Sequence, residues 1–144
     1  MRSGVLMDTG PLVAYLHRRD AQHDWALATF ENLDPPVITC EPVLSEACFL
    51  VARTKLPADR VLEYVVRGGV SIGLQIDTEL TAIRALMQRY DNVPMSLADA
   101  CLVRLAEITG LPICTLDSDF AVYRAHRRRA LTLITPDRRS LHEA

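Results

Sequence analysis

The stretch Val5-Leu6-Met7-Asp8-Thr9-Gly10-Pro11-Leu12 decides how this chain is read. Three apolar residues run into one acid, and Pro11 then opens the helically spaced set Leu12, Tyr15 and Leu16. Proline suits the first turn of a helix because the N–H it lacks has no partner there. Asp8 is therefore expected at the carboxyl end of a buried strand, where the chain turns into a helix. In open α/β sheets that edge is where ligands bind. An aspartate there also serves as a cap or turn residue. The reading thus depends on whether other acids reach the same edge.

Working outward, Trp25, Ala28, Thr29 and Leu33 have helical spacing, and Val37-Ile38-Thr39-Cys40 reads as a second buried strand. Pro42 opens a third helix to about Thr54, and between Val43 and Ala52 only Ser45 and Glu46 are polar. A helix so apolar is expected to be buried nearly all round. Glu46 has no cation three or four residues away, and a buried glutamate without a partner or a metal is rare. A fourth helix follows Pro57 through Val61, Leu62, Val65 and Val66, and Gly68-Gly69 ends it. Its aliphatic face suggests a surface that a second copy or another protein covers. A third strand is expected over 70–76, then a fifth helix with Leu80, Ile83, Leu86 and Met87 on one face, reaching Tyr90.

Ser96-Leu97-Ala98-Asp99 opens a sixth helix, which Gly110 closes. Ser-x-x-acid is the pattern of a capping box, so Asp99 has a local role whatever else it does. Pro112 to Asp117 then repeats the opening pattern, an apolar strand ending in an acid, with Ser118 and Asp119 following. Leu131 to Ile134 is a last strand, and the tail from Asp137 is expected to fray. Strands alternating with helices predict a single-domain, three-layer α/β/α fold with a mostly parallel central sheet.

At 144 residues the chain has the length of one domain with a real core. No basic region leads into a long apolar run, and no run approaches the roughly twenty residues needed to span a bilayer. A cytoplasmic protein without a membrane partner is expected. Cys40, Cys48, Cys101 and Cys114 lie in apolar segments with no Cys-x-x-Cys spacing, which favours reduced buried thiols over a disulfide framework or a zinc site. The net charge of −2 makes the whole chain no magnet for nucleic acid. Arg124, Arg127, Arg128 and Arg129 nevertheless crowd together, with Arg138 and Arg139 behind them. Two readings stand for that run: a solvated helix end whose cations suit the dipole, or phosphate contacts beside an acidic pocket, with Arg138 and Arg139 as a second basic site.

Four acids thus share one description. Asp8 and Asp117 stand at strand ends, while Glu46 and Asp99 sit on apolar helices without local cations. If they converge, like charges in a small volume cannot all stay ionised unaided. A divalent cation resolves this, and oxygen-only donors select Mg²⁺ or Mn²⁺. Waters held by such an ion supply a nucleophile for attack on a phosphodiester. The chemistry suggested is metal-assisted hydrolysis.

Asp8-Thr9 after the first strand, Glu46 on the third helix, Asp99-Ala100 opening a later helix, and Thr115-x-Asp117-x-Asp119-Phe120 together resemble the PIN-domain nucleases. The likeness runs from Val5 to Phe120, and the chain's size is similar to the VapC-type toxins of toxin–antitoxin pairs. It implies a Mg²⁺- or Mn²⁺-dependent endoribonuclease, held in check by a cognate antitoxin and usually a homodimer. Carried over residue by residue, Asp8, Glu46, Asp99 and Asp117 would form the acidic metal site, with Asp119 a fifth candidate. Thr9 and Thr115 would orient the carboxylates. Gly10 departs from the hydroxyl or amide residue that many relatives carry there. Two other readings remain. One is a non-catalytic PIN-like binding module whose acids are caps and solvated edges. The other is a haloacid-dehalogenase-type phosphatase, suggested by Asp117-Ser118-Asp119 but lacking that family's usual Thr or Val at Ala121.

Overall fold

A computed structural model of the chain describes residues 3–136. Its elements are β1 (Val5–Met7), α1 (Thr9–Leu16), α2 (His23–Glu31), β2 (Val37–Thr39), α3 (Glu41–Arg53), α4 (Asp59–Val66), β3 (Ser71–Ile72), α5 (Ile76–Arg89), α6 (Leu97–Thr109), β4 (Ile113–Cys114), a 3₁₀ turn (Ser118–Ala121), β5 (Arg124–Ala125), β6 (Arg129–Ala130) and β7 (Leu133–Ile134). Five strands form one parallel sheet in the order β3-β2-β1-β4-β7.

β1 lies at the centre because it is apolar on both faces. Val5 and Met7 join one core with Leu12, Ala47, Val51 and Val61, whereas Leu6 joins the other with Leu102, Leu105, Ile113 and Phe120. Successive strand residues point to opposite sides, so a run of three apolar residues fits a strand covered above and below. In register, Leu6 stands beside Ile38 of β2 and Ile113 of β4. The expected three-layer α/β/α arrangement with a parallel sheet is the one observed.

The chain moves from β1 outward to β2 and β3, then crosses back to place β4 on the other side of β1. The order therefore reverses between β1 and β4. Crevices form at such switch points, beyond the carboxyl ends of the strands. Asp8 follows β1 and Thr115 follows β4, so the topology alone brings those two residues to one crevice. A Cβ on Gly10 would come within 3.2 Å of the Leu116 Cβ. Glycine there lets the start of α1 pack closely on the segment that leads to Asp117.

Three expectations need correction. α3 buries Val43, Leu44, Ala47 and Val51 but leaves Phe49 62% and Leu50 39% exposed. It packs mainly on α1, α4 and α6. Only Ser71 and Ile72 of the expected third strand pair in the sheet, at its edge. The arginine run does not end a helix. It forms an antiparallel hairpin in which Arg124 faces Ala130 and Ala125 faces Arg129. Two-residue strands carry too few side chains for a periodic pattern, so neither helix nor strand spacing was legible there. The expected frayed tail from Asp137, with Arg138 and Arg139, lies outside the described residues. Among the described residues no helix is long and apolar enough to cross a membrane.

Candidate active site

Asp8 caps α1, its Oδ1 accepting the N–H of Thr9 at 2.7 Å. Its other oxygen accepts the hydroxyl of Thr115 across the switch point, also at 2.7 Å. Thr115 is buried and in turn accepts the N–H of Asp117 at 2.9 Å. One hydroxyl therefore joins the ends of β1 and β4 and turns the chain so that Asp117 follows Asp8 into the crevice. Asp117 Oδ1 then accepts the N–H of Asp119 at 2.9 Å, capping the 3₁₀ turn.

Glu46 enters from α3, where the hydroxyl of Thr9 donates to its Oε2 at 3.1 Å. The partner missing from its own helix is thus supplied by α1. Asp99 enters from α6 and fulfils its expected cap: Ser96 Oγ accepts the Asp99 N–H at 3.1 Å, and Asp99 Oδ2 accepts the Ser96 N–H at 3.4 Å. The same Oδ2 also accepts the hydroxyl of Tyr123 at 3.0 Å. Capping and a place in the crevice coexist.

The charges feel one another. Burial pushes the Asp8 carboxyl up to about 6 from 3.8; hydrogen bonds from Thr115 and Thr9 oppose this, while Asp99 and Asp117 nearby raise it further. Asp8 is only 6% exposed, so its neighbours act through little water. Asp99 is likewise raised, first by burial and also by Asp117. Burial raises Tyr123 well above the usual phenol range, with added contributions from Asp99, Asp119 and Asp117. Asp119 thus borders the cluster on the Tyr123 side. The salt bridges among the described residues are those of Arg67 with Glu63 and of Arg104 with Glu79 and Glu107, so none neutralises the crevice.

The PIN domain matches residues 5–125 of the chain. This protein belongs to the PIN-domain family. None of the curated proteins compared with it matches. Among solved structures it resembles VapC20 of Mycobacterium tuberculosis, a Sarcin-Ricin loop cleaving toxin, with 24% identity and a TM-score of 0.72 over 87% of this chain and 98% of that one. That likeness is one of fold.

PIN nucleases use divalent metals, and this PIN domain's own residues bear on whether one fits. The acids at the crevice offer oxygen donors, no cation pairs with them among the described residues, and Asp8 is raised in the way that a nearby cation would reverse. Charge and donor chemistry therefore suit a hard divalent ion. Among the described residues no group of three or more Asp, Glu, His or Cys side chains stands close enough together to hold a metal ion as the acids are placed.

Two parts of the site escaped the sequence reading. Tyr123 is fully buried and packs edge-on against Phe120 and Tyr90, which aims its hydroxyl at Asp99. Its one signal was a tyrosine soon after an acidic loop, with nothing in the local spacing to mark it. Thr39 ends β2 and donates to the Met7 carbonyl at 2.7 Å, which satisfies the backbone just before Asp8. Of the predicted arginines, Arg124 turns inward and donates to three main-chain carbonyls, while Arg127, Arg128 and Arg129 are exposed. All four cysteines are free thiols, three of them buried and Cys48 half-buried.

Proposed function

We propose that this PIN domain is a metal-dependent endoribonuclease of the VapC toxin type, using Mg²⁺ or Mn²⁺ at the crevice between β1 and β4. One observation carries the reading: the Thr115 hydroxyl bridges Asp8 to the Asp117 loop in a crevice where Asp99 and Asp117 add to the charge cost of Asp8, Asp117 adds to that of Asp99, and no described cation offsets it. Asp8, Glu46, Asp99 and Asp117 would hold the ion, with Asp119 at the margin. When bound, such an ion offsets developing negative charge on the phosphate and acidifies a water.

The chain's own residues do the rest. Thr9 and Thr115 fix the carboxylates of Glu46 and Asp8, and Tyr123 fixes Asp99. These donors are buried or sit at the starts of packed elements, so the carboxylates are held before substrate arrives. Membership of the PIN family sets aside the phosphatase reading of Asp117 and Asp119.

The test is cleavage of a mixed RNA pool, with a sarcin-ricin loop oligonucleotide included, in Mg²⁺, in Mn²⁺ and in chelator. Metal-dependent cutting is expected, and Asp8→Asn and Asp99→Asn should each abolish it. No cutting in any condition, together with no metal binding by calorimetry, would return the chain to a non-catalytic binding module.

The same reading places this protein in the cytoplasm with an antitoxin and a second copy of itself as partners. Leu62 and Val66 stand one turn apart on α4, 48% and 86% exposed, as apolar surface for such a contact. Sizing of the protein alone should give a dimer that Leu62→Lys with Val66→Lys converts to monomer. A wild-type monomer that does not associate with the product of a neighbouring gene would count against both partners.

A further inference from the structure

The arginine run divides once it is folded. Arg124 donates to the carbonyls of Ala121, Val122 and Tyr123 at 2.8, 3.2 and 3.0 Å, closing the 3₁₀ turn, and its main-chain N–H meets the Tyr90 hydroxyl at 3.0 Å. That guanidinium is committed to the fold. Beyond it, Arg128 N–H closes a turn on the Ala125 carbonyl at 3.2 Å, with His126 at φ 50° and Arg127 at φ 69° in the two central positions. This is the mirror-image hairpin turn that Asn-Gly makes with least strain, because a Cβ is crowded at positive φ. Neither residue here is the favoured type.

The strained turn is held from α6. Glu107 Oε2 accepts the His126 N–H at 2.7 Å, and the Glu107 carbonyl meets His126 Nε2 at 3.1 Å. Arg104 bonds the other oxygen of Glu107 at 3.3 Å and Glu79 of α5 at 2.7 Å. The clamp seats Arg127 on a cavity of about 290 Å³ between α5, α6 and the hairpin, which Arg89 from the last turn of α5 and the half-buried Arg104 also line. Arg89 and Arg127 are exposed and make no hydrogen bond or salt bridge among the described residues. Glu107 is the one acid among the described residues that line the cavity, and it is already occupied.

We propose that this cavity is a phosphate subsite for the RNA strand as it leaves the acidic crevice, with Arg89 and Arg127 as its free cations. The proposal rests on the ribonuclease reading above. Tyr123, which touches Asp99, lies four residues before Arg127, so the main chain spans at most about 14 Å between them. A polyanion drawn across a carboxylate crevice needs positive charge close by, and a strained turn at a charged cavity is the form that functional strain takes. Arg127 and Arg89 bind the strand; Glu107 and His126 position the turn.

Binding is measured in Mg²⁺ with a short mixed-sequence single-stranded RNA, as a function of salt, in an Asp8→Asn background that prevents cutting. Arg127→Gly and Arg89→Gln should each weaken binding several-fold and flatten the slope of log affinity against log salt by about 0.7. Arg127→Gly should leave the thermal midpoint unchanged or higher, since glycine takes that φ without strain. Arg124→Gln should instead lower the midpoint and leave the slope alone. With Asp8 restored, Arg127→Gly should raise KM for cleavage and spare kcat. If wild type cuts RNA while the slope is unmoved by Arg127→Gly and by Arg89→Gln, or if Arg124→Gln moves it equally, the subsite is wrong and the nuclease reading stands. If wild type neither binds nor cuts RNA, both fall.

Discussion

The acidic crevice and the arginine turn are joined through Tyr123, yet they hold their charges in opposite ways. The acids sit at strand ends, at a helix start or, for Glu46, within α3, each held by hydroxyl or main-chain donors, and Asp8 bears a desolvation cost that no described cation relieves. Arg127 is exposed, has no hydrogen-bond or ion-pair partner among the described residues, and is held by a clamped, strained turn. A charge cluster gathered around one buried acid is built for a ligand that brings opposite charge in. An exposed cation keeps most of its hydration and has to be displaced from water, so it binds weakly and gives way to salt. The comparison also shows that charge counted in a sequence differs from charge available in a fold, since adjacent members of one arginine run are committed to carbonyls or left open.

The contrast can be broken most forcefully at Asp8. Asp8→Asn keeps the shape of the side chain and removes its charge. Losing a carboxylate that stabilises the metal-assisted step by several kcal/mol should lower cleavage by about a thousandfold. Rate measurements at saturating Mg²⁺ check this, and a loss of tenfold or less would place Asp8 outside the site.

The same variant should have the opposite effect on the metal-free fold. Asp8 has a raised folded pKa, so the native state binds its proton more tightly than the unfolded chain does. Its contribution to stability is full below about 3.8 and is lost as pH rises through about 6. That interval corresponds to about 3 kcal/mol at neutral pH. In chelator, Asp8→Asn should therefore melt higher than wild type at pH 7.5 and equal to it near pH 4. Saturating Mg²⁺ should close the gap at pH 7.5 by stabilising wild type. Equal melting at both pH values would mean that Asp8 is not electrostatically loaded.

Smaller effects should follow from the hydroxyls that aim the acids. Thr115→Val removes the donor to Asp8 and the acceptor for the Asp117 N–H. Tyr123→Phe removes only the donor to Asp99. Each should cost about ten- to a hundredfold in metal affinity or kcat. Thr115→Ser should restore most of the loss. Calorimetry with Mn²⁺ separates the two: a fall in stability with unchanged metal affinity would make either hydroxyl purely structural.

The regions differ in legibility for the same physical reason. Asp8, Glu46, Asp99 and Asp117 stood out as candidates because each ends or interrupts an apolar segment, and a charge without a local partner is conspicuous against such a background. The hairpin carrying Arg127 has strands too short for any period, so its form was missed and Arg124 was grouped with arginines that behave differently. Tyr123 was missed because its function lies in where its hydroxyl points. Phe49 and Leu50 were over-read as buried, because helical apolarity does not say how many neighbours a helix receives.

By itself, the sequence determined that strands and helices alternate, that the first strand is buried, and that two acids stand at strand ends while two more sit on apolar helices without local cations. Those features follow from local preference and hydrophobic period, which act over neighbouring residues. Only the tertiary structure decided that the strand order reverses between β1 and β4, that Thr9 serves Glu46 and Thr115 serves Asp8, and that Arg124 and Arg127 part company. Each of those depends on which distant segments pack together, with Asp8 and Thr115 separated by 107 residues along the chain, and no local pattern encodes that choice.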